Sequence, residues 1–202
     1  MGLNYLNMKD RKQLLEHLKE FSGMSEEDFM QSTSFWYNKS IKKGEFFNMQ
    51  NFVCSDLGFI TNGLFRIYYF DEQSMEEKNM FFFSKGQFIV SFRSFIRQYP
   101  CIYYIEALED SELCAIKYKD LQRLYTINNS WSNLGRLLAE LFFEYSQVRM
   151  EAFLFNTAEQ RYITFIKDNA DIANRIPLFH LSSYLGIKSQ SLSRMRKRLN
   201  SL

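Results

Sequence analysis

The sequence that decides the fold lies near the end of the chain, where residues 178–199 read LFHLSSYLGIKSQSLSRMRKRL. Leucines recur there at helical spacing after Pro177, a residue that suits the start of a helix. Gly186 is typical of a helix end, because glycine tolerates the positive φ of a sharp turn. A second helix is predicted from about Ser189. The inward positions of the two helices are Leu178, Leu181, Leu185, Ile187, Leu192, Met195 and Leu199.

Two helices joined by a short glycine turn form the helix-turn-helix pattern, whose second helix enters the major groove of DNA. The charge agrees: residues 157–202 carry eight basic and three acidic side chains, which is +5, so the rest of a chain of net charge +2 is −3. A basic tail favours binding to phosphates. The alternatives are a solvated basic helix end or a helical pair that packs on another protein. The outward positions of the second helix are Gln190, Ser191, Ser193, Arg194, Arg196, Lys197 and Arg198.

The composition excludes several classes of protein. The densest apolar run, residues 80–83, is far too short to span a membrane. Three scattered cysteines and the lack of an apolar region in the first residues predict a cytoplasmic protein without a disulfide framework. With two histidines, no Gly-rich phosphate loop and no clustered metal ligands, the sequence predicts neither an enzyme nor a bound metal or cofactor.

The first part of the chain combines helical segments with a series of short strands. Residues 8–33 show helical spacing of apolar residues. Over residues 36–117 the pattern changes to short alternating or aromatic segments separated by turn residues, which predicts an antiparallel sandwich or jelly roll. The dipeptide Asn62-Gly63 between two apolar segments predicts a β-hairpin. A short helix is expected over residues 119–125.

A heptad pattern follows, over a predicted helix of about 25–30 residues. Its apolar positions alternate three and four residues apart, the spacing that pairs two helices. The pattern therefore favours a two-fold dimer, although a long helix lying across its own domain would show it too. Residues 157–160 (TAEQ) form a capping box, which restarts a helix. The predicted dimer positions are Trp131, Leu134, Leu138, Leu141, Tyr145, Val148, Ala152 and Phe155.

Four segments carry a resemblance to a known family: residues 105–113 (IEALEDSEL), 157–162 (TAEQRY), and 183–187 (SYLGI) followed by 191–194 (SLSR). They resemble the Crp/Fnr family of bacterial transcription regulators, in its Bacteroidetes-type branch. The resemblance covers nearly the whole chain and implies an α+β fold. This fold has an N-terminal antiparallel β-roll or jelly roll of the cyclic-nucleotide-binding type with flanking helices, a long dimerisation helix and a C-terminal winged-type helix-turn-helix domain. The predicted segments are a sensor domain over 1–126, a dimerisation helix over 127–156 and a DNA-binding domain over 157–202.

The resemblance weakens in the sensor. Family members that bind cyclic AMP hold the ribose with a glutamate and the cyclic phosphate with an arginine, but these pairs align here with Val90-Ser91 and Cys101-Ile102. Arg93 and Arg97 lie nearby at a different spacing. The resemblance therefore implies a sensor that does not bind cyclic AMP in the usual way. A candidate apolar effector pocket, which could equally be plain core, comprises Phe88, Val90, Ser91, Phe92, Cys101, Ile102 and Tyr103.

The sequence thus predicts a homodimeric, sequence-specific regulator that binds double-stranded promoter DNA. The resemblance adds RNA polymerase as a partner and leaves an unknown small-molecule effector open. It places Ser189, Gln190 and Arg194 at base-reading positions, where arginine suits guanine and glutamine suits adenine. The alternative is a small-molecule-binding module whose helix-turn-helix contacts protein. The side chains expected to contact phosphates are Lys188, Ser191, Arg196, Lys197 and Arg198.

Overall fold

The computed structural model describes residues 6–199. Two helices come first, α1 (Met8–Ser22) and α2 (Glu26–Met30). The strands that follow are β1 (Trp36–Ile41), β2 (Phe46–Asn48), β3 (Asp56–Asn62), β4 (Leu64–Asp71), β5 (Glu76–Ser84), β6 (Phe88–Ile89), β7 (Tyr104–Ala107) and β8 (Ser111–Lys117). The remaining helices are α3 (Phe92–Arg97), which lies between β6 and β7, and then α4 (Tyr118–Ile127), α5 (Asn129–Phe155), α6 (Ala158–Asp168), α7 (Leu178–Leu185) and α8 (Ser189–Leu199).

The strands form two four-stranded sheets, in the orders β1-β8-β3-β6 and β2-β7-β4-β5. The pairs β1–β8, β3–β8, β3–β6 and β2–β7 are antiparallel. Successive residues of β3 point to opposite faces: Gly58 lies against Phe47 of the other sheet, whereas Phe59 packs against Phe88 and against His17 of α1. The predicted α+β architecture with antiparallel sheets is confirmed.

The predicted hairpin at Asn62-Gly63 is wrong, because β3 and β4 belong to different sheets. Gly63 is the single residue between these strands and has a φ of +115°. A Cβ at this position would overlap the side chain of Ser111. Glycine therefore serves a tight corner at which the chain passes from one sheet to the other. The next strand in the sheet of β4 is β5, reached through residues 72–75.

The chain divides into two compact units, and each is discontinuous in sequence. Unit 1 comprises Met1–Arg66 and Phe82–Phe143, and unit 2 comprises Ile67–Phe81 and Glu144–Leu202. The outer ends of β4 and β5 thus belong with the C-terminal helices, and α5 is divided between the units. This division differs from the three consecutive segments predicted from the sequence.

Unit 1 contains the whole first sheet, part of the second sheet, and the helix that covers the first. Asn7 caps α1 by accepting a hydrogen bond from the backbone N–H of Asp10. Leu14 and Leu18 are fully buried, and α1 contacts β3 and β8, so it covers the first sheet. Among residues 6–199, none of the helices combines the length and apolarity needed to cross a membrane.

Unit 2 contains the helical pair predicted from the sequence. Thr157 and Gln160 form the predicted capping box at the start of α6: the Thr157 hydroxyl accepts from the Gln160 backbone N–H at 3.2 Å, and the Gln160 side chain accepts from the Thr157 N–H at 2.8 Å. Gly186 has a φ of +70° and joins α7 to α8. Leu192 of α8 is fully buried, as its inward position requires.

The winged form of the C-terminal domain is not present in residues 156–199, which contain helices and turns but no strand. Between α6 and α7 the backbone makes helix-like hydrogen bonds, from Ile172 N–H to Asn169 O at 3.1 Å and from Ala173 N–H to Asn169 O at 2.9 Å. These amide groups are therefore already paired and do not form a strand ladder. For this part of the chain the winged-type prediction is wrong.

Candidate functional site

The outward side of α8 is a basic surface in unit 2. It rises from the α7–Gly186–α8 turn, and the apolar positions of α8 face the other way. Within residues 187–199, the basic side chains that are exposed and form no ion pair with the described part of the chain make up what we call the cationic face, together with one exposed amide. Its members are Lys188, Gln190, Arg194 and Lys197.

Two other predicted DNA contacts are engaged within unit 2. The hydroxyl of Ser189 lies 2.9 Å from the hydroxyl of Ser182, so it ties the start of α8 to α7. Arg198 is exposed but forms an ion pair with Glu159 of α6. Its charge is therefore partly neutralised before any phosphate approaches. Ser191 and Ser193, also predicted to face outward, are half-buried.

Arg196 does not occupy the position expected of a phosphate contact. Its guanidinium lies 5.7 Å from the ring centre of Tyr162, and its Nε and Nη2 atoms are buried without a hydrogen-bond partner. The side chain therefore packs against α6 instead of extending from the surface. Its prediction as a phosphate contact is corrected accordingly, because the helical period turns this position towards Tyr162.

Arg161 is a structural cation that the charge count treated as part of the basic tail. Its Nη1 donates to Asn156 O at 2.6 Å and its Nη2 donates to Leu185 O at 2.8 Å, with Nε donating to the same carbonyl at 3.2 Å. These carbonyls end α5 and α7, where the helix leaves C=O groups unpaired and partly negative. Arg161 therefore joins two helix ends, and its placement in the TAEQRY segment was the only signal of that role.

Arg149 was missed for a similar reason, since its spacing on α5 is that of a solvent-facing residue. The structure places its guanidinium 3.6 Å from the ring centre of Tyr184 and 4.4 Å from that of Phe153. Its Nη2 donates to the backbone carbonyls of Tyr184 and, at 3.4 Å, of Asn79. Burial lowers the pKa of Arg149 to about 10, so the guanidinium still carries its charge at neutral pH.

The predicted dimer seam is only partly available to a partner. Trp131 and Leu134 are 0% exposed and Leu138 is 3% exposed, because the first part of α5 packs into the core of unit 1. These three positions are corrected from seam to core. Among the rest, Val148 and Phe155 are exposed, and the half-buried positions are Leu141, Tyr145 and Ala152.

In the sensor, the two segments that align with the ligand-binding pairs of the family do come together. The hydroxyl of Ser91 lies 2.9 Å from the sulfur of Cys101, and both residues are buried. The Cys101 sulfur also accepts from the backbone N–H of Tyr103 at 3.2 Å. A hydroxyl and a sulfur therefore meet at the two positions that align with the acid and the arginine of cyclic-AMP-binding sensors. Val90 is buried beside them, while Ile102 is about half exposed.

Two of the seven residues of the predicted effector pocket, Phe88 and Phe92, lie in different surroundings. Phe88 points towards α1, where it lies 5.4 Å from the ring of His17, because side chains alternate along β6 and Ile89 takes the inner position. Phe92 stacks on Phe142 at 5.1 Å and lines an apolar cavity of about 390 Å³ beneath α3, α4 and α5. None of the other six predicted residues lines that cavity.

Acidic side chains of the sheets are paired with cations instead of meeting one another. Glu106 accepts from Arg66 Nε at 3.0 Å, and Asp110 accepts from Lys42 Nζ at 2.8 Å. Within residues 6–199, no three His, Cys, Asp or Glu side chains are placed to hold a metal ion. These carboxylates thus have structural partners.

Comparison with known proteins agrees with this architecture. Residues 38–128 match the family model of the cyclic nucleotide-binding domain. This part of the chain has the fold of a cyclic nucleotide-binding domain. Comparison of the whole sequence with curated proteins gives no match.

Solved structures extend the likeness beyond that domain. A protein from Eubacterium rectale assigned to the Crp/Fnr family of transcriptional regulators is 16% identical, with a TM-score of 0.72 over 92% of this chain and 88% of its own. FixK2 from Bradyrhizobium japonicum is 16% identical, with a TM-score of 0.68 over 82% and 85%. The catabolite activator protein of Thermus thermophilus is 19% identical, with a TM-score of 0.56 over 92% and 87%. At these identities the likeness establishes the fold.

Proposed function

We propose that this chain is a sequence-specific DNA-binding regulator of transcription that acts as a homodimer. The observation that carries the proposal is the cationic face of α8, which is exposed and free of ion pairs while Leu192 anchors the same helix in the core. A helix held in this way suits the major groove, and its unpaired cations suit the phosphates beside it. The Eubacterium rectale neighbour assigned to transcriptional regulation shares this fold over 92% of the chain, which supports the proposal.

Within the cationic face the side chains divide by chemistry. Arg194 has a planar guanidinium that forks onto O6 and N7 of guanine, and Gln190 offers the donor and acceptor that adenine requires. Lys188 and Lys197 are point charges and suit phosphates. This division gives each residue a different signature in a binding assay.

The second half of α5 supports the dimer. Val148 and Phe155 are 57% and 76% exposed, and they lie seven residues apart with Ala152 between them. Apolar side chains with this repeat on an exposed helix are what a second, parallel helix would cover. Sedimentation at micromolar concentration tests this claim, and a protein that stays monomeric would contradict it.

The sensor is proposed not to take cyclic AMP in the way usual for its fold. The Ser91–Cys101 contact leaves no carboxylate for a ribose and no guanidinium for a cyclic phosphate at the place where these groups are needed. Calorimetry with cyclic AMP should therefore give no saturable binding at millimolar concentration.

Selection from random duplex DNA, followed by affinity measurements against salt, tests the DNA-binding proposal. We expect a palindrome whose half-sites lie about ten base pairs apart, centre to centre, since a two-fold dimer presents two copies of α8. Arg194→Ala should cost roughly 1–3 kcal/mol on the selected site and relax one base position. Lys197→Ala is the matched control, because loss of a phosphate contact weakens specific and random DNA equally.

Weak binding without sequence preference, unchanged when metabolite extract is added, would overturn the proposal. It would favour the alternative in which α7 and α8 contact a protein. Equal losses on specific and random DNA for Arg194→Ala would make Arg194 a phosphate contact and remove its assigned role.

A further inference from the structure

Unit 2 contains a cavity of about 970 Å³ beside the proposed DNA contacts. The outer part of β5 forms one wall, the second half of α5 another, and α7 with the first turn of α8 the third. Its volume falls in the range of small-molecule sites, roughly 300–1,000 Å³. The apolar side chains that line it are Met80, Phe81, Met150, Phe153, Phe179 and Ile187.

Arg149 is the charged group around which this cavity is built. Its Nη2 donates to two backbone carbonyls and the guanidinium also interacts with the Tyr184 side chain, whereas no hydrogen bond joins Nε or Nη1 to a carbonyl or carboxylate within residues 6–199. No carboxylate in this part of the chain forms an ion pair with it, although Glu76 and Glu77 line the cavity. Arg149 therefore lines the cavity with two further donors, Nε and Nη1, on different edges of its guanidinium.

A second cation lies close to Arg149. The guanidinium of Arg161 lies 4.5 Å from the ring centre of Phe153, which Arg149 contacts as well, so two cations share one aromatic side chain. A half-buried cation without an anionic partner is costly, because aromatic faces and carbonyls compensate only part of its lost hydration. An anion bound at this point would relieve that cost.

We infer that this cavity binds a small organic carboxylate with an apolar body. The carboxylate pairs with the charge of Arg149 and accepts from either Nε or Nη1, since a hydrogen bond between two charged groups is stronger than a neutral one. The apolar body lies among the methionine and phenylalanine side chains, which adapt to different shapes. A phosphate dianion fits less well, because it would need more cations and would face Glu76 and Glu77 in the same wall.

The position of the cavity gives its occupant a means of control, and this part of the inference rests on the proposed DNA binding. Lys188 and Gln190 of the cationic face line the cavity, as does Ser189, which is bonded to Ser182 at 2.9 Å. A ligand seated there contacts the first turn of the helix that would read DNA. Its binding and DNA binding are therefore coupled, with equal effects in both directions.

Isothermal titration of the full chain with sodium octanoate, in the absence of DNA, tests the site itself. We expect one molecule of octanoate bound per chain. The affinity for 1-octanol, which lacks the charge, and for octyl phosphate should be lower by at least roughly tenfold. Arg149→Met should abolish the preference for octanoate over 1-octanol. Because that change also removes structural contacts, a second variant is needed.

Met150→Glu provides this second variant, because Met150 lines the cavity yet is 57% exposed, so the chain should fold unchanged. A carboxylate at position 150 repels the ligand, and we expect at least roughly tenfold weaker octanoate binding. Met8→Glu is the matched control at an 81% exposed position outside the cavity and should bind octanoate normally. Octanoate binding no tighter than 1-octanol, or unaffected by Met150→Glu, would overturn the inference.

DNA assays separate this inference from the proposed function. If octanoate binds in the expected way but no DNA is selected, the site stands and the regulatory function fails. If DNA is selected and octanoate does not bind, the function stands and the site fails. Coupling requires that octanoate change the affinity for the selected DNA in wild type and Met8→Glu but not in Met150→Glu.

Discussion

Replacement of the Arg161 guanidinium by an apolar group should destabilise unit 2 without weakening phosphate contacts. Arg161→Met keeps most of the stem and removes three hydrogen bonds of 2.6 to 3.2 Å to the carbonyls of Asn156 and Leu185. Hydrogen bonds from a charged donor contribute about 1.5–3 kcal/mol each. Nη1 also donates to Ala152 O at 3.5 Å, and water replaces part of each contact, so we expect a net loss of about 3 kcal/mol in the free energy of unfolding.

The measurement is urea unfolding followed by circular dichroism, with hydrogen exchange of the α6 and α7 amides to locate the loss. At about 2–4 °C per kcal/mol for a chain of this size, the melting temperature should fall by roughly 6–12 °C. Arg161→Lys keeps the charge but loses the forked geometry, so its free energy of unfolding should lie between those of the wild type and Arg161→Met. Arg194→Met, at an exposed position, is the control and should stay within about 0.5 kcal/mol of wild type. The reasoning is refuted if Arg161→Met falls within that same margin.

Three further predictions follow from single features of the structure. Gly63→Ala should lower the free energy of unfolding by about 3 kcal/mol or more, because the penalties of a positive φ and of a steric overlap add. Gly86→Ala, with a φ of +86° and open space around it, should lower it by about 1 kcal/mol in the same urea assay. Burial lowers the pKa of His17, so the unfolded chain binds a proton at this residue more tightly than the folded chain does. The free energy of unfolding should therefore be highest above about pH 6.5 and should fall as the pH drops below that value. In His17→Phe the melting temperature should change less between pH 7.5 and 5.5 than in the wild type. Lys197→Ala should reduce the slope of log affinity against log salt by about 1, and Arg198→Ala by less, since Arg198 is already paired within the chain.

The C-terminal helices could be predicted from the sequence because their signals are local. The capping box at Thr157, the leucine spacing of α7 and the positive φ of Gly186 depend on residues within four positions of each other. The antiparallel strands were predicted for the same reason, from alternation and turn residues. Such signals define elements but leave open how the elements pair.

The predictions were wrong where contacts between residues far apart in the sequence determine the structure. Asn62-Gly63 suits a hairpin and a corner between sheets equally, and the choice depends on β3 pairing with β8, about fifty residues further along the chain. Phe88 was placed in a pocket although the alternation of β6 gives the inner position to Ile89. The seam positions at the start of α5 were read as dimer contacts, because a heptad cannot distinguish a partner helix from the chain's own core.

Charged residues were the hardest to place. Arg149, Arg161 and Arg196 look alike in a charge count, yet the first lines a cavity, the second joins two helix ends and the third packs on Tyr162. The long aliphatic stem of arginine allows each of these environments, so its position in the sequence does not choose among them. Of the basic side chains predicted to contact DNA, Lys188, Arg194 and Lys197 are exposed and form no ion pair within residues 6–199.

A fragment of this protein that contains α7 should also contain β5, because α7 is hydrogen-bonded to the edge of that strand. Ser183 of α7 accepts from the backbone N–H of Asn79 at 3.0 Å and donates to the carbonyl of Glu77 at 2.5 Å, so α7 completes the pairing of an edge strand. A fragment that starts at Glu144 would omit both backbone partners, although it would contain every C-terminal helix. Because β4, β5 and α5 each cross from one unit to the other, a protease that cuts the chain at one crossing still leaves the units joined covalently at another.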